Sequence, residues 1–392
     1  MTGAPVMCDT SEDNAGSRQY RVGLIGTGIM GTNHAIGYML NPRTEIVAVA
    51  DSDPVNLERF SRRFGITSTY SSYEEMFSRE SLDIAAPILP ARPNPDAVIA
   101  AARAGIPAIF CEKPICASLG DADRMVAEIT SRGVHWAAAD AMRNLPGFWQ
   151  VKEMIDSGEL GPARSINIYL GVGNGRGEIW GANCQDLSVA RLFADDADVE
   201  WVVGWVRGDP FDDVDQAMGG CIRFENGVEC FINMRAESRR GIEIVTEKGV
   251  MFSDFNKFRV WRLKDMEGET AQIDDLVEIP DAIPEAGLNE MPYDERGRRY
   301  PGNRMRESIQ AIVDCLELGV PPKCSGENMA KVLEIIVALR ESHRRGHAPV
   351  MLPLEDRSLR IEPLPYRWIN RKEVFGTDRY EELMSVHIKE EG

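Results

Sequence analysis

Arg21-Val22-Gly23-Leu24-Ile25-Gly26-Thr27-Gly28-Ile29-Met30-Gly31 opens on an apolar run at strand spacing and passes into three glycines in the pattern G-x-G-x-x-G. A helix-compatible run, His34 to Leu40, follows at once. A second apolar run, Glu45-Ile46-Val47-Ala48-Val49-Ala50, then ends on Asp51, twenty residues past Gly31. Strand, tight turn, helix, strand and acid in this order make a β-α-β unit suited to a dinucleotide. Gly26 permits the sharp turn, Gly28 lets the backbone approach a pyrophosphate, and Gly31 lets the helix pack on the strand. Thr27, Ile29 and Met30 complete the cofactor-binding loop, whose helix start offers free N–H groups and a positive dipole end. Asp51 is expected to accept hydrogen bonds from the adenosine ribose hydroxyls. A carboxylate there repels a 2'-phosphate, which favours NAD over NADP.

The segments downstream continue the alternation. Pro54 to Phe64 has helical periodicity and stops at Gly65, Ile66 to Tyr70 is a short strand, and Ser72 starts a helix through Phe77. Asp83 to Pro90 is an apolar strand breaking into a proline-rich turn, Asp96 to Ala104 an alanine-rich helix closed by Gly105, and Pro107 to Cys111 another strand. Strands alternating with helices predict a doubly wound parallel sheet, an α/β Rossmann arrangement.

The 392 residues are enough for two or more domains with separate cores. A net charge of −18, with no basic block, argues against nucleic acid and anionic membranes as partners. No stretch reaches the roughly 20 apolar residues that would span a bilayer. Met1 to Ser17 is small, polar and acidic, so a disordered tail over 1–19 is expected rather than a secretory signal. The eight cysteines form no C-x-x-C pair, and Cys111, Cys221, Cys230 and Cys315 lie in apolar runs. That usage fits a reducing cytoplasm better than a disulfide framework or a zinc site, and no metal is expected.

The strand ending at Cys111 runs into Glu112-Lys113-Pro114, at the carboxyl end of a parallel strand, where open α/β sheets place ligands. An amine on a rigid turn beside a nicotinamide can act as a base, which makes Lys113 a candidate catalytic group. An ordinary solvated lysine ahead of a loop proline is the alternative.

Ala104 to Pro114 resembles the A-G-K-H-V-x-C-E-K-P signature of the glucose-fructose oxidoreductase and inositol dehydrogenase family (Gfo/Idh/MocA). Asp83 to Pro90 resembles that family's D-x-V-x-I-A-T-P strand, Arg143-Asn144-Leu145-Pro146 its R-F-x-P turn, and Lys152 to Gly161 its K-x-x-I-x-x-G-x-[IL]-G run. The resemblance covers roughly residues 20 to 350. It implies an NAD(P)-binding Rossmann domain over 20–142 and an α+β substrate and oligomerisation domain over 143–355, built on a large open, mainly antiparallel sheet. Residues 356–392 would form a C-terminal extension wrapping over the domain or a neighbouring subunit. The back of the sheet would form a homodimer or homotetramer interface. Pro90, Asn94, Glu112 and Arg143 join the cofactor-binding set on the same ground.

The second half agrees in pattern. Ala163 to Gly173 and Glu200 to Arg207 alternate as strands, Gln216 to Asn233 reads as a hairpin around Asn226-Gly227, and further strands are expected at Ile242–Thr246, Val250–Ser253 and Phe258–Leu263. Helices return at Arg304–Leu318 and Asn328–Arg345. The segment 281–301 reads as a loop that could serve as a lid or reach another protomer.

One motif is broken. The family usually carries D-x-x-x-H-x-x-D with the histidine as acid/base, and the matching run here is Ile179-Trp180-Gly181-Ala182-Asn183-Cys184-Gln185-Asp186. Asn183 stands in the histidine position and cannot exchange a proton at neutral pH, although it can orient a hydroxyl. Asn94 likewise falls where many relatives have histidine. Lys113 would then be the main proton acceptor, with Tyr169 or Asp186 as relay, and Lys113, Arg143, Tyr169, Arg176, Trp180, Asn183 and Asp186 would line the site of a sugar or polyol. Asp186 can also be read as a helix N-terminal acid, and Trp180 as core or as a stacking surface for a pyranose. His34, after the glycine loop, is assigned to packing or capping.

Three functions follow as expectations. The first is an NAD-dependent oxidoreductase acting on a secondary alcohol of a sugar, cyclitol or sugar derivative. A redox-neutral enzyme cleaving glycosides through transient oxidation is the second, and a non-catalytic nucleotide-binding sensor the third. Lys113 separates the third from the others, since a sensor has no use for it.

Overall fold

The computed structural model describes residues 18–170, 178–234, 239–264, 275–283 and 302–364. The tail 1–17, most of the 281–301 segment, and residues 365–392 of the extension lie outside the described residues.

The first half alternates strand and helix: β1 (Tyr20–Ile25), α1 (Ile29–Met39), β2 (Thr44–Ala50), α2 (Pro54–Phe64), β3 (Ser68–Tyr70), α3 (Tyr73–Arg79), β4 (Ile84–Pro87), α4 (Asn94–Arg103), β5 (Ala108–Cys111), α5 (Leu119–Arg132) and β6 (His135–Ala138). Local chemistry sets the ends. Asp53 caps α2 by accepting from the Val55 and Asn56 N–H groups, Pro54 occupies the first turn, and Gly65 ends the helix at φ +67°. The six strands are parallel in the order β3-β2-β1-β4-β5-β6. Direction of travel through the sheet reverses between β1 and β4, which opens a crevice at their carboxyl ends. The glycine loop follows β1 and the Pro90 turn follows β4, so both line that crevice.

The second half runs α6 (Pro146–Asp156), β7 (Ala163–Tyr169), α7 (Cys184–Phe193), β8 (Val199–Val206), β9 (Met218–Phe224), β10 (Glu229–Asn233), β11 (Gly241–Thr246), β12 (Gly249–Ser253), β13 (Phe258–Leu263), β14 (Leu276–Glu278), α8 (Gly302–Leu318), α9 (Gly326–Arg344) and β15 (Val350–Met351). Nine strands form one sheet in the order β14-β13-β12-β11-β7-β10-β9-β8-β15, antiparallel except for the β10–β7 pair. Strand alternation divides it sharply: Ile166, Ile168, Ile222, Cys230, Ile232, Ile242 and Ile244 are buried beneath α7 and α9, whereas Asn167, Tyr169, Phe231 and Glu243 face the other way. Glycines let α9 come close, because a Cβ on Gly204 would lie 2.3 Å from the Leu339 carbonyl oxygen.

Two segments cross between the halves. α8 falls in the stretch assigned by sequence to the second domain, yet it packs on α1, and its Met305, Ile309, Ile312 and Cys315 join Val22, Leu24, Tyr38 and Phe110 in one core. The described part of the C-terminal extension is a strap. Leu359 O accepts from Leu119 N, Ile361 N donates to Ala117 O, Glu362 N donates to Asp213 O, and Glu362 O accepts from Asp215 N, all within 3.0 Å. It thereby ties the stretch just after Lys113 to the β8–β9 connection.

Candidate active site

At the crevice, Gly26 turns at φ +94°, and a Cβ there would lie 2.4 Å from the Ile88 carbonyl oxygen. A Cβ on Gly31 would lie only 1.9 Å from the Gly26 carbonyl oxygen, so the first turn of α1 packs directly on the loop. Buried Ile29 begins α1, with Met30 half-buried beside it. The helix has no side-chain cap at Gly28 and no acid in its first turn. Its N–H groups and dipole are therefore unspent, which is what a pyrophosphate needs. Asp51 Oδ2 accepts from Thr27 N and Thr27 Oγ1, each at 2.7 Å, while Oδ1 accepts from Asp53 N at 2.8 Å. The carboxylate is pinned against the glycine loop, half-exposed, with acceptor capacity left over. These residues fit NAD.

The Lys113 turn is braced from several sides. Glu112 Oε2 accepts from Lys113 N at 2.6 Å, and Glu112 Oε1 lies 3.4 Å from His34 Nε2 on α1. Burial works to raise the Glu112 carboxyl, but the His34 hydrogen bond and charge, together with Lys113, outweigh it and hold the group below its ordinary range. Asn94, fully buried, donates from Nδ2 to Ile115 O at 2.9 Å. Lys113 itself is half-buried and its Nζ donates to Gly181 O at 3.2 Å, reaching from the parallel sheet to the second domain.

Two buried carboxyls lie within reach of its charge. Asp186, 2 % exposed, has an Oδ1 with no hydrogen-bond partner. Burial pushes it up to about 7, the Asp140 charge adds to the rise, and Arg240 and Lys113 oppose it. Asp140, at the end of β6, is also raised by burial, against hydrogen bonds from Arg143 N and Ser188 and the charges of Arg143 and Lys113. Asn183 donates Nδ2 to Glu178 O at 2.8 Å. The turn Ile179–Gly181 is held by Asp215, whose carboxylate accepts from Ile179 N, Trp180 N and Gly181 N. Burial pushes Asp215 up to about 7 despite those bonds.

The structure thus brings together Lys113, Glu112, Asn183 and Asp186, and separates other residues chosen from the sequence. Arg143 is buried, with its guanidinium committed to Asp196, Ser188 O and Lys323 O, so it braces α7 instead of offering itself to a ligand. Trp180 is fully buried and donates Nε1 to Cys116 O at 2.7 Å, which removes it as a stacking surface. Tyr169 lies on the sheet face away from α7: it bonds Glu243, with Arg239 4.4 Å over its ring. Its neighbour Ile168 points to the α7 side, and the period-two alternation makes the two exclusive. Asn94 ties α4 to the Lys113 turn, and Pro90 O accepts from Asn94 N, so both serve the loop's shape. Arg176 lies outside the described residues. Among the described residues no group of three His, Cys, Asp or Glu side chains is arranged to hold a metal.

Asp140, Asp215 and Arg240 were not picked out from the sequence. Asp140 carried a usable signal, since it follows β6 as Lys113 follows β5, at the same edge of the sheet. Asp215 had none, because its partners lie more than thirty residues away in an irregular turn.

A sequence model of the family described as "Oxidoreductase family, NAD-binding Rossmann fold" matches residues 20–139. Over 349 residues the chain is 24% identical to a myo-inositol 2-dehydrogenase of Thermotoga maritima, covering 82% of this chain and 96% of that one. It is 25% identical to a D-xylose 1-dehydrogenase (NADP(+)) of Haloferax volcanii, covering 83% and 98% respectively. Among solved structures, levoglucosan dehydrogenase in complex with NADH and L-sorbose superposes with a TM-score of 0.70 at 20% identity, over 86% of this chain and 99% of that chain.

Proposed function

Because the chain belongs to the Gfo/Idh/MocA oxidoreductase family, we propose that it moves hydride between NAD and a secondary alcohol carbon of a sugar, cyclitol or related polyol. The observation that carries this is the Lys113 amine, presented at the carboxyl edge of the parallel sheet and reaching Gly181 O, with a buried, half-unpartnered Asp186 within its electrostatic reach. The names of the relatives, acting on inositol and xylose, support a polyol substrate.

Bound NAD supplies the hydride acceptor. Lys113 takes the hydroxyl proton as the carbinol carbon gives up its hydride, leaving a carbonyl. Asp186 titrates near neutrality, so it can pass that proton on and do what Asn183 cannot. Asn183, with its amide N–H engaged by Glu178 O, presents an acceptor for a neighbouring substrate hydroxyl. Glu112 holds the backbone of the turn.

In this reading residues 20–142 hold the cofactor and 143–355 the substrate, with α8 returning to the first. Self-association as a dimer or tetramer would use the uncovered sheet face, where Trp205 and Phe231 are 39% and 38% exposed. A cytoplasmic location fits the seven described cysteines, all unbridged.

The test follows reduced-nicotinamide absorbance with NAD or NADP across sugars, cyclitols and glycosides, with product analysis. Steady reduction with a polyol is expected, together with a loss of about 10²–10⁴ in turnover for Lys113→Ala and unchanged NAD binding. Glycoside cleavage without accumulating reduced cofactor, or full turnover in the variant, would overturn it.

A further inference from the structure

Lys113 is held by an atom that is itself held. Its Nζ donates to the carbonyl of Gly181, a residue in a turn with no regular secondary structure of its own. Such a turn needs outside partners for its N–H groups, and three consecutive ones are taken by a single carboxylate. Asp215 Oδ1 accepts from Ile179 N at 3.0 Å and Trp180 N at 3.1 Å, and Oδ2 accepts from Gly181 N at 2.6 Å. Three backbone donors converging on the two oxygens of one side chain fix the peptide planes of the turn, and with them the direction of the Gly181 carbonyl.

Asp215 is in turn fixed to the Lys113 side of the cleft. Its own N–H donates to Glu362 O at 2.8 Å, and Ile361 N, one residue earlier in the strap, donates to Ala117 O at 2.9 Å, four residues past Lys113. Trp180, inside the same turn, donates Nε1 to Cys116 O at 2.7 Å. The loop bearing the amine and the turn bearing its acceptor are thus joined twice, through the strap and through the indole, besides the amine contact itself.

We propose that Asp215 is a positioning residue for Lys113: by gathering the N–H groups of Ile179, Trp180 and Gly181 it aims the Gly181 carbonyl at the amine and so orients the amine's free lone pair toward the substrate hydroxyl. A neutral amine has two N–H bonds and one lone pair. Committing one N–H to a fixed carbonyl restricts rotation about the terminal bond of a four-carbon stem, which otherwise costs entropy at each turnover. The catalytic part of this inference rests on Lys113 being the proton acceptor. The positional part does not.

Asp215→Asn keeps the side-chain volume but replaces one acceptor oxygen with a donor that opposes a backbone N–H. The full-length variant, compared with wild type, is expected to fold and to bind NAD with unchanged affinity by fluorescence titration. Its Lys113 is expected to react with trinitrobenzenesulfonate about five-fold faster, read site by site by mass spectrometry, the size that one net hydrogen bond supports. With a polyol substrate, kcat is expected to fall about 10- to 100-fold while KM stays put. Labelling of Lys113 at the wild-type rate, faster labelling with unchanged kcat, or loss of NAD affinity in step with kcat would each overturn the proposal. Asp215→Glu, which keeps the charge and shifts it by one methylene, should recover part of both readouts, and it takes over the test if the asparagine variant does not fold. Lys113→Ala measured alongside separates the two readings: full turnover there sinks the role of Lys113 as base, while the labelling result still decides the role of Asp215.

Discussion

The two ends of the cleft are made from different material. At the proposed cofactor end the groups on offer are backbone: the uncapped N–H groups of α1 and two glycines whose missing side chains make room, with Asp51 the one side chain pinned against the loop. At the proposed substrate end they are side chains taken out of water: Asp186 and Asp140, both within reach of the Lys113 charge, and Asp215 under the Gly181 turn. A backbone site depends on spacing along the chain, and its chemistry is insensitive to pH. A site of buried carboxyls depends on what the fold packs around each one, and its chemistry follows protonation.

The comparison is broken most severely at Gly31. An added Cβ would meet the Gly26 carbonyl oxygen at 1.9 Å and its carbon at 3.0 Å, both backbone atoms and not the end of a flexible side chain that could yield. Gly31→Ala should therefore displace the start of α1 from the glycine loop and weaken NAD binding by about 10²-fold or more, on the order of 3 kcal/mol. Titration of NAD by fluorescence reads this directly. An affinity equal to that of wild type would mean the loop is not the cofactor cradle.

Asp186→Asn sharpens the other side. Loss of a proton-exchanging group should lower turnover about 10- to 100-fold with NAD affinity intact, and should remove the inflection near about pH 7 from the pH–rate profile. Stability should move in the opposite sense. The folded-state pKa of about 7 lies above the ordinary 3.8, so between those values the folded protein keeps a proton that the unfolded chain has released. Wild-type stability consequently falls as pH rises through that window and levels off above it. The asparagine variant lacks this loss, so its Tm relative to wild type should climb from about pH 4 to about pH 7. Asp215 and Asp140 slope the same way and remain, so the decline is reduced, not abolished. A Tm difference independent of pH would refute the assignment.

The same division explains what could be read in advance. The doubly wound sheet, its glycine loop, Asp51 and the Lys113 turn were legible because strand period, glycine spacing and the carboxyl-end rule are local properties of the chain. Strands of the second sheet were legible from their alternation, and the helix beginning at Gly302 from its period. Where that helix packs was not legible, since an apolar stripe does not name its partner, and α8 returns to the first sheet. Trp180, Arg143 and Tyr169 failed for a related reason. An indole with Cys116 O to bond, a guanidinium with Asp196 within reach and a phenol on the far side of a strand look the same in sequence as ligands would.

Tyr169 allows the smallest and most exacting check. Residues 166 and 168 of β7 are buried under α7, so 169 must emerge on the opposite face, where its hydroxyl meets Glu243 at 3.3 Å and its ring lies beneath Arg239. Burial first, and then the Glu243 charge, raise the phenol above its ordinary value, which further unfits it as a relay near neutral pH. Tyr169→Phe removes only the hydroxyl and leaves the ring and its cation contact. Turnover and KM should change by less than about two-fold, and stability by no more than about 1 kcal/mol, the range of one part-exposed hydrogen bond. Because Lys113 and Asp186 stand on the α7 side, a large fall in kcat from this one atom would mean that the catalytic face of the sheet has been assigned the wrong way round.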